Sequence, residues 1–566
     1  MSNISIRPVN QLAYQNLIEN GFDELSARLL ASRGVNNSFD ADNRLANLIH
    51  FNQLKNIAEV ASRLSLAINN REHIMVIADY DADGATACAL AVRGLRAMGA
   101  VVDYIVPNRF TNGYGITPSL VDEAYSCNAN LLLTVDNGIA AVEAVNYANS
   151  LGLEVIVTDH HLPADSLPNC LIVNPNQPEC PFPCKSLAGV GVMFYVLIAL
   201  RDKLRKEDYF NKHSLPEINL SEYLDLVALG TVADVVRLEH NNRILVSQGL
   251  SRIRKGKMCC GIRALFQISR RDYQRARTYD LGFFIGPRIN AAGRIDDMEI
   301  GIRCLLSDNE NEAYELAEQL NKLNQERRSI EKNMIDNALI MPEIQLSDEK
   351  YTISVLGEDW HEGVIGIVAG RLREKFYRPT IVFARSENGQ LKGSGRSIEQ
   401  LNLRDAIDLV YKQRPDLIVR FGGHAMAAGL TLHQDAFFDF QQTFEEVVSK
   451  MLCQEDLIKE YRTDGSLNNS ELTLDRARQL SQQVWGQGFI EPVFCDEFYV
   501  LNQKIVGSEH LKLVLQKENN TFEAMIFRCN ETLPEYIRIV YRPVANLWKG
   551  GEELQLYIDY WESAGK

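Results

Sequence analysis

The tightest constraint on this chain is the run Val76-Ile77-Ala78-Asp79-Tyr80-Asp81-Ala82-Asp83-Gly84-Ala85-Thr86, in which an apolar stretch ends in three carboxylates at alternate positions and then a glycine. The apolar part reads as a buried strand. While the chain stays extended, the alternation keeps Asp79, Asp81 and Asp83 on one side, and Gly84 permits a sharp turn into the helix suggested by Ala85 to Met98. Three like charges so close repel one another unless a cation neutralises them. Oxygen donors at this density suit hard divalent ions such as Mg²⁺ or Mn²⁺. A solvated acidic turn is the plainer reading of an isolated Asp-x-Asp; the strand before it and the motifs after it weigh against that reading.

From His73 onward, apolar strand candidates at Ile74 to Ala78, Val101 to Val106, Leu131 to Val135, Val155 to Thr158 and Leu171 to Val173 alternate with helical stretches. That rhythm predicts a doubly wound α/β sheet, whose ligands bind beyond the carboxyl ends of the strands. Polar residues fall where that rule wants them. Leu131 to Val135 runs into Asp136-Asn137-Gly138, Val155 to Thr158 into Asp159-His160-His161, and a later apolar segment, Leu226 to Ala233, closes on Asp234. Each cluster alone is an ordinary turn or loop. Four at equivalent ends of one sheet predict a shared dinuclear metal site, and a donor set of Asp oxygens with one imidazole points to Mn²⁺ or Mg²⁺ more than to zinc.

At 566 residues the chain exceeds one core, and about one domain per 150 residues suggests three or four. No apolar run reaches the roughly 18 residues that span a bilayer, and the N-terminus has neither a charged n-region nor an apolar h-region, so a cytoplasmic protein is expected. Eleven scattered cysteines argue for reduced thiols. Cys180 and Cys184 lack the second pair a zinc site needs. A net charge of −15 speaks against indiscriminate coating of nucleic acid but leaves room for a local basic channel.

Residues 1–70 read as a helical, polar lead-in. Asn309 to Ala338, rich in Glu, Leu, Lys, Gln and Arg and free of Pro and Gly, predicts one long connector helix with a mostly solvated charged face, from which Arg327 or Arg328 is a candidate nucleic-acid contact. A second α/β unit begins at Tyr351: a strand to Leu356, a helix from Gly363 to Lys375, and a hairpin of Thr380 to Ala384 with Gln390 to Gly395 around Glu387-Asn-Gly389. Ser394 and Arg396 sit where that hairpin turns glycine-rich, which suits a phosphate as well as it suits an ordinary turn. After Tyr461, strand candidates at Phe498 to Ile505, Leu511 to Gln516, Phe522 to Arg528, Ile537 to Tyr541 and Leu554 to Tyr560 suggest an OB-like barrel. Lys504, Lys512, Lys517, Arg528, Arg542, Trp548 and Lys549 are available there to guide a single strand, or serve only as surface.

Together these motifs resemble a known family. Asp79-Tyr-Asp-Ala-Asp-Gly84, Asp136-Asn-Gly138, Asp159-His-His161 and Gly230-Thr-Val-Ala-Asp234 resemble the ordered motifs of the DHH phosphoesterases. Gly286-Pro-Arg-Ile-Asn-Ala-Ala-Gly-Arg294, Gly393-Ser-Gly-Arg-Ser397 and Phe421-Gly-Gly-His-Ala-Met-Ala-Ala-Gly429, with Pro107-Asn-Arg109 and Asn112-Gly-Tyr114, resemble the RecJ branch, from about residue 70 to the C-terminus. The resemblance implies a lead-in at 1–70, a DHH domain at 71–305, a connector at 306–345, a DHHA1-type domain at 346–455 and an OB-like domain at 460–566.

It further implies metal ligands at Asp81, Asp83, Asp136, His160 and Asp234, with Asp136 bridging. Asp79 and Asp159 are possible supporting groups, and His161 is a hydrogen-bond donor to the reacting phosphoryl group. Arg109, Tyr114, Arg288, Asn290, Arg294, Ser394, Arg396 and His424 would hold substrate: Arg109, Ser394 and Arg396 take a 5′-terminal phosphate, and Gly423-His424 stands before a helix near the DNA backbone. Trp485-Gly-Gln-Gly-Phe489 resembles the family's entry loop. Arg237 stands where relatives commonly carry Pro. The implied activity is 5′-to-3′ two-metal-ion hydrolysis of single-stranded DNA to nucleoside 5′-monophosphates in recombination and repair, through a channel between two domains too narrow for a duplex. Single-stranded-DNA-binding protein and a RecQ-type helicase are implied partners. A small-substrate DHH phosphodiesterase and a non-catalytic DNA-binding scaffold stay open as alternatives.

Overall fold

The computed structural model describes residues 3–108, 115–345, 350–386, 389–507, 509–548 and 551–565, with backbone alone at 3, 345 and 548. The chain divides into two compact units, Met1–Ser5 with Lys322–Tyr461 and Ile6–Asn321 with Arg462–Lys566. The lead-in is helical as expected apart from a short strand, Asn3–Ile6.

In the larger unit, β1 (His73–Ile77), β2 (Val101–Ile105), β3 (Leu131–Val135), β4 (Glu154–Thr158) and β5 (Leu171–Val173) form one sheet in the order β2-β1-β3-β4-β5. Every neighbouring pair is parallel. Such strands are covered on both faces and read as unbroken apolar runs, as β3 does with all its residues buried. In this order the winding reverses between β1 and β3, which opens a crevice at their carboxyl ends.

Three helices close the crevice. α1 (Ala82–Ala97) leaves β1 through the acidic run, and α2 (Gly189–Lys206) and α3 (Leu224–Ala233) pack beside it. The segment Leu226 to Ala233, which the sequence suggested as another strand of the sheet, lies within α3, with Asp234 capping its C-terminal end. Its residues are buried around nearly the whole helix, and a continuous apolar run looks the same in a buried helix as in a buried strand. Further on, a single π turn, Leu281–Ile285, leads into α4 (Gly286–Ile295).

The connector is one helix, α5 (Glu310–Leu339). In the smaller unit β6 (Ile353–Gly357), β7 (Thr380–Arg385), β8 (Leu391–Arg396), β9 (Ile418–Gly423) and β10 (Ala427–Leu432) form a sheet in the order β9-β10-β8-β7-β6. Only β6 and β7 run parallel. α6 (Ile365–Phe376) crosses from one to the other, and Phe383, Phe437 and Phe440 meet edge to face in the core.

The C-terminal strands return the chain to the larger unit. β11 (Phe494–Val506), β12 (His510–Lys517), β13 (Asn520–Phe527), β14 (Tyr536–Trp548) and β15 (Gly551–Ser563) close into a barrel in the order β11-β12-β13-β15-β14, as the strand candidates predicted. Leu25 and Leu29 of the lead-in share its core with Phe494 and Phe498. Barrel and parallel sheet are thus parts of one packed body.

Candidate metal centre and nucleic-acid interface

The acidic run is bent into a cage. Asp81 caps α1, one carboxylate oxygen accepting from the N–H groups of Asp83 and Gly84 at 2.9 and 3.0 Å. Asp83, buried in the first turn of α1, accepts from the first amides of α2, Gly189 at 2.6 Å and Val190 at 2.9 Å. Two helix N-termini therefore aim partial positive charge at this corner. Asp136 follows β3 with φ of 64°, a left-handed conformation that non-glycine residues seldom take. Its neighbour Asn137 donates to the carbonyls of Ile77 and Val135, at 3.0 and 2.9 Å, and so ties β1 to β3 across the switch point.

Asp159 has another task. Its carboxylate accepts from the N–H groups of Ile139, His160 and His161 and contacts the His161 ring nitrogen Nδ1 at 2.8 Å, which shapes the loop that presents both histidines. Asn174 and Asn176 hold the same loop through the His161 and His160 carbonyls, at 3.0 and 2.6 Å. His160 Nε2 is buried without a hydrogen bond, 3.1 Å from an Asp136 oxygen and 3.5 Å from an Asp234 oxygen.

Donor atoms converge in three overlapping sets, Asp83-His160-Asp234, Asp136-His160-His161 and Asp79-Asp81-Asp136, each within 4.8 Å. All five expected ligands are gathered, and Asp79, expected as a supporting group, stands with Asp81 and Asp136 as a donor. Asp159 is in none of the three sets and stays bonded to the His161 ring.

Charge explains why such a cage wants a cation. Burial, and then the Asp81 charge, push the Asp83 carboxyl up to about 7. Burial and the neighbouring carboxylates raise Asp136 and Asp234 well above the ordinary range. Burial and the charge of His161 hold His160 down at about 4, so its ring is neutral and able to ligate. Burial is the largest single influence and works against a charged His161, but the Asp159 hydrogen bond and the charges of Asp159, Asp234 and Asp79 together outweigh it and carry the ring up to about 9. Buried oxygens with one neutral imidazole, its nitrogen turned toward carboxylates rather than a hydrogen-bond partner, fit Mn²⁺ or Mg²⁺.

Small residues let the walls close in. A Cβ on Gly189 would lie 2.5 Å from an Asp136 oxygen, and one on Gly293 of α4 only 1.9 Å from the Tyr80 carbonyl. α4 thus leans on the acidic loop, and its Asn290, expected at substrate, accepts from the Ala82 N–H at 2.8 Å and braces that loop. Arg288 contacts Asn321 and the Phe284 carbonyl at 3.1 and 2.7 Å, and Arg294 is half-buried in the last turn of α4. Asn137 stood in a motif but with no role assigned, and Asn174, Asn176 and the α2 amides carried no sequence signal, because each acts on a residue brought near by folding.

In the smaller unit, Lys392, Ser394 and Arg396 share one face of β8. Arg396 has no carboxylate partner among the described residues. It lies 3.3 Å from Ser394 Oγ, and both pack against Gly366 in the first turn of α6, where a Cβ would come within 2.8 Å of Ser394 Oγ. A hydroxyl, a guanidinium and a helix N-terminus thus stand side by side.

Other expectations are corrected. His424 is exposed in the β9–β10 hairpin turn, its N–H bonded to the Ala427 carbonyl at 2.8 Å; no helix follows, because the small residues of this stretch pair as antiparallel strands. Arg327 is buried and bonded to Glu331 at 2.6 Å, which removes it from any nucleic-acid surface. On the barrel, Lys512 pairs with Glu523, Lys517 with Asp496, and Arg542 with Asp559 and Glu491, which leaves Lys504 and Arg528 exposed without acidic partners among the described residues. Trp485 and Phe489 of the expected entry loop stack on each other at 5.3 Å, Arg33 and Arg243 lie over their rings, and Thr278 Oγ1 donates to the Trp485 carbonyl at 2.6 Å. That loop is a seam within the larger unit. Arg109, Tyr114, Lys549 and the Trp548 side chain lie outside the described residues.

Comparison with known proteins fits this geometry. Residues 73–231 match the DHH family N-terminal domain, 348–450 the DHHA1 domain and 463–560 the RecJ OB domain. The chain is 46% identical over 548 residues, 94% of this chain and 95% of the relative, to the single-stranded-DNA-specific exonuclease RecJ of Salmonella typhimurium. It is 45% identical over 549 residues, with the same coverage, to that of Escherichia coli. The crystal structure of Thermus thermophilus RecJ with Mn²⁺ matches with a TM-score of 0.82 at 29% identity, covering 100% of this chain and 80% of that one. The Mg²⁺ complex matches at 0.77 and 28%, covering 100% and 78%. With its relatives aligned over nearly its whole length and its acidic cage at the rim of the matching domain, the chain belongs to the RecJ family of DHH proteins.

Proposed function

We propose that the chain is a single-strand-specific DNA exonuclease that works from a 5′ end and releases nucleoside 5′-monophosphates, in recombination and repair. The observation that carries this reading is the convergence of Asp136, His160 and Asp234 on one point at the carboxyl rim of the sheet. The RecJ names of its relatives support it. Asp81, Asp83, Asp136, His160 and Asp234, with Asp79 in reach, would hold two divalent ions, Mn²⁺ or Mg²⁺, which supply charge neutralisation at the phosphoryl oxygens and an activated water near neutral pH. His161, charged at neutral pH and half-exposed beside the cage, donates a hydrogen bond to the reacting phosphoryl group. Asp159 fixes that ring in place. Ser394 and Arg396 are proposed to take the terminal phosphate, a group an enzyme that starts at an end must recognise, and Arg288 and Arg294 the strand.

The setting proposed is cytoplasmic; among the described residues no helix is long and apolar enough to cross a membrane. An enzyme that needs an unpaired end depends on proteins that open and hold single strands, so single-stranded-DNA-binding protein and a RecQ-type helicase are the partners proposed. The decisive assay compares 5′-phosphorylated single strands with blunt duplex, in Mn²⁺ and in chelator. Monophosphates appearing from the single strand in Mn²⁺ alone support the reading. Long strands left intact while dinucleotides disappear would overturn it in favour of a small-substrate phosphodiesterase.

A further inference from the structure

Just ahead of α4, the chain exposes large aromatic surface without need of it for packing. Tyr279 is 44% and Phe283 66% exposed, one helical turn apart, with ring centroids 4.8 Å from each other. Tyr279 precedes and Phe283 lies within the π turn Leu281–Ile285 that leads into α4, and such turns recur at functional sites. Positive charge surrounds the pair. Arg277 lies 5.7 Å from the Tyr279 ring, and Arg271 lies 4.5 Å over Phe284. Both arginines share a single carboxylate, Asp280, at 3.9 and 2.6 Å, which leaves one charge in excess. Arg270 beside them is exposed, with no acidic partner among the described residues. In a chain of net charge −15, this is a local reversal of sign. The aromatic surface continues onto the barrel, where Tyr557 meets the half-exposed Phe527 at 5.1 Å and lies in the field of Arg277 and Arg271.

Position relates this surface to the metal centre. Phe283 stands seven residues before Asn290 along one helical run, and Asn290 is bonded to Ala82 of the acidic loop. At ~1.5 Å per residue the ring stands roughly 10 Å along the axis from that loop. At ~3.4 Å per stacked nucleotide, that is about three nucleotides.

We propose that Tyr279 and Phe283 form a stacking platform for bases of the single strand, about three nucleotides in from its 5′ end, with Arg270 and Arg277 neutralising the neighbouring phosphates. The platform rests on the exonuclease reading for its substrate. A partner protein would need no flanking cations, whereas an unpaired strand offers flat π faces and one negative charge per nucleotide, the two features this surface answers.

The test is a coupling measurement that needs no hydrolysis. Fluorescence anisotropy in EDTA gives Kd for 5′-phosphorylated 12-mers in which one abasic site is walked from the second to the sixth nucleotide. In the wild-type chain, an abasic site near the third position should weaken binding about tenfold. In Phe283→Ala the intact oligonucleotide should already bind that weakly, and the same abasic site should add nothing. Phe283→Trp should retain tight binding together with the position dependence, which separates loss of the ring from loss of the fold. Additive effects at every position, or Phe283→Ala binding as tightly as wild type, would overturn the platform, and a protein occupying this face would give that same result. Release of monophosphates by wild-type chain in Mn²⁺ is scored separately. Coupling without hydrolysis removes the exonuclease reading and keeps the platform; hydrolysis without coupling does the reverse.

Discussion

Asp136 holds a backbone conformation that costs about 1–3 kcal/mol at a non-glycine residue, and its surroundings sustain it: its own N–H bonds to the Thr158 carbonyl at 3.0 Å while Asn137 clamps two strand ends. The strain places a buried carboxylate where it repels Asp83, Asp81, Asp79 and Asp234, a cost to the fold that a bound cation would relieve. In EDTA, Asp136→Asn should therefore melt no lower than wild type, while Mn²⁺ should raise the wild-type Tm by a few degrees and the variant's by less, as followed by circular dichroism. Hydrolysis by Asp136→Ala should fall to background with single-strand binding in EDTA largely kept; equal loss of both would count against its assigned role.

Asp225 offers a pH test away from the cage. Burial raises its carboxyl above the usual 3.8, although the Cys259 N–H opposes this. A raised folded value means the folded chain keeps a proton that the unfolded chain releases. The stability tied to that proton is complete below pH 3.8 and fades as pH climbs through the folded value. Asp225→Asn, which cannot ionise, should gain in Tm over wild type at pH 7 and gain less at pH 4.

Among the elements, α4 shows how a packing detail reaches the chemistry. Its Gly293 lies so close to the Tyr80 carbonyl that a methyl group at 1.9 Å forces the acidic loop or the helix to move. Gly293→Ala should cost about 1–3 kcal/mol in stability, and a shift of the order of an ångström in Asp79 and Asp81 should lower kcat about a hundredfold with a smaller change in KM. Steady-state kinetics beside a thermal melt separates the two effects. α3 and the β9–β10 hairpin show where local pattern misleads. An apolar run buried all round carries no period, and a string of glycines and alanines carries no amphipathic face, so neither announces its own geometry.

Across the larger unit, the lead-in is locked to the segment ahead of the barrel at Asp464, which faces Arg7 at 3.8 Å and forms a buried ion pair with Arg33. Arg33 and Asp464 meet through two bonds of 2.8 Å with their side chains 3% and 1% exposed. Asp464→Ala would strand a buried guanidinium, and urea denaturation should show the larger unit destabilised by about 3–5 kcal/mol. The parallel strands, the long connector, the barrel strands and the clustered acids were all readable in the linear chain, because strand burial, helix propensity and dense like charges leave their mark on neighbouring residues. Which acids share a donor set, which arginines are consumed in ion pairs, and which asparagines and glycines brace the acidic loop depend on contacts such as Asn290 with Ala82 or Asp83 with Gly189, between residues more than a hundred positions apart. Local chemistry wrote the elements and the metal-binding composition into the sequence; only packing at the β1–β3 switch point assigned each donor its partner, since distance through space is set by the whole core and not by neighbours along the chain.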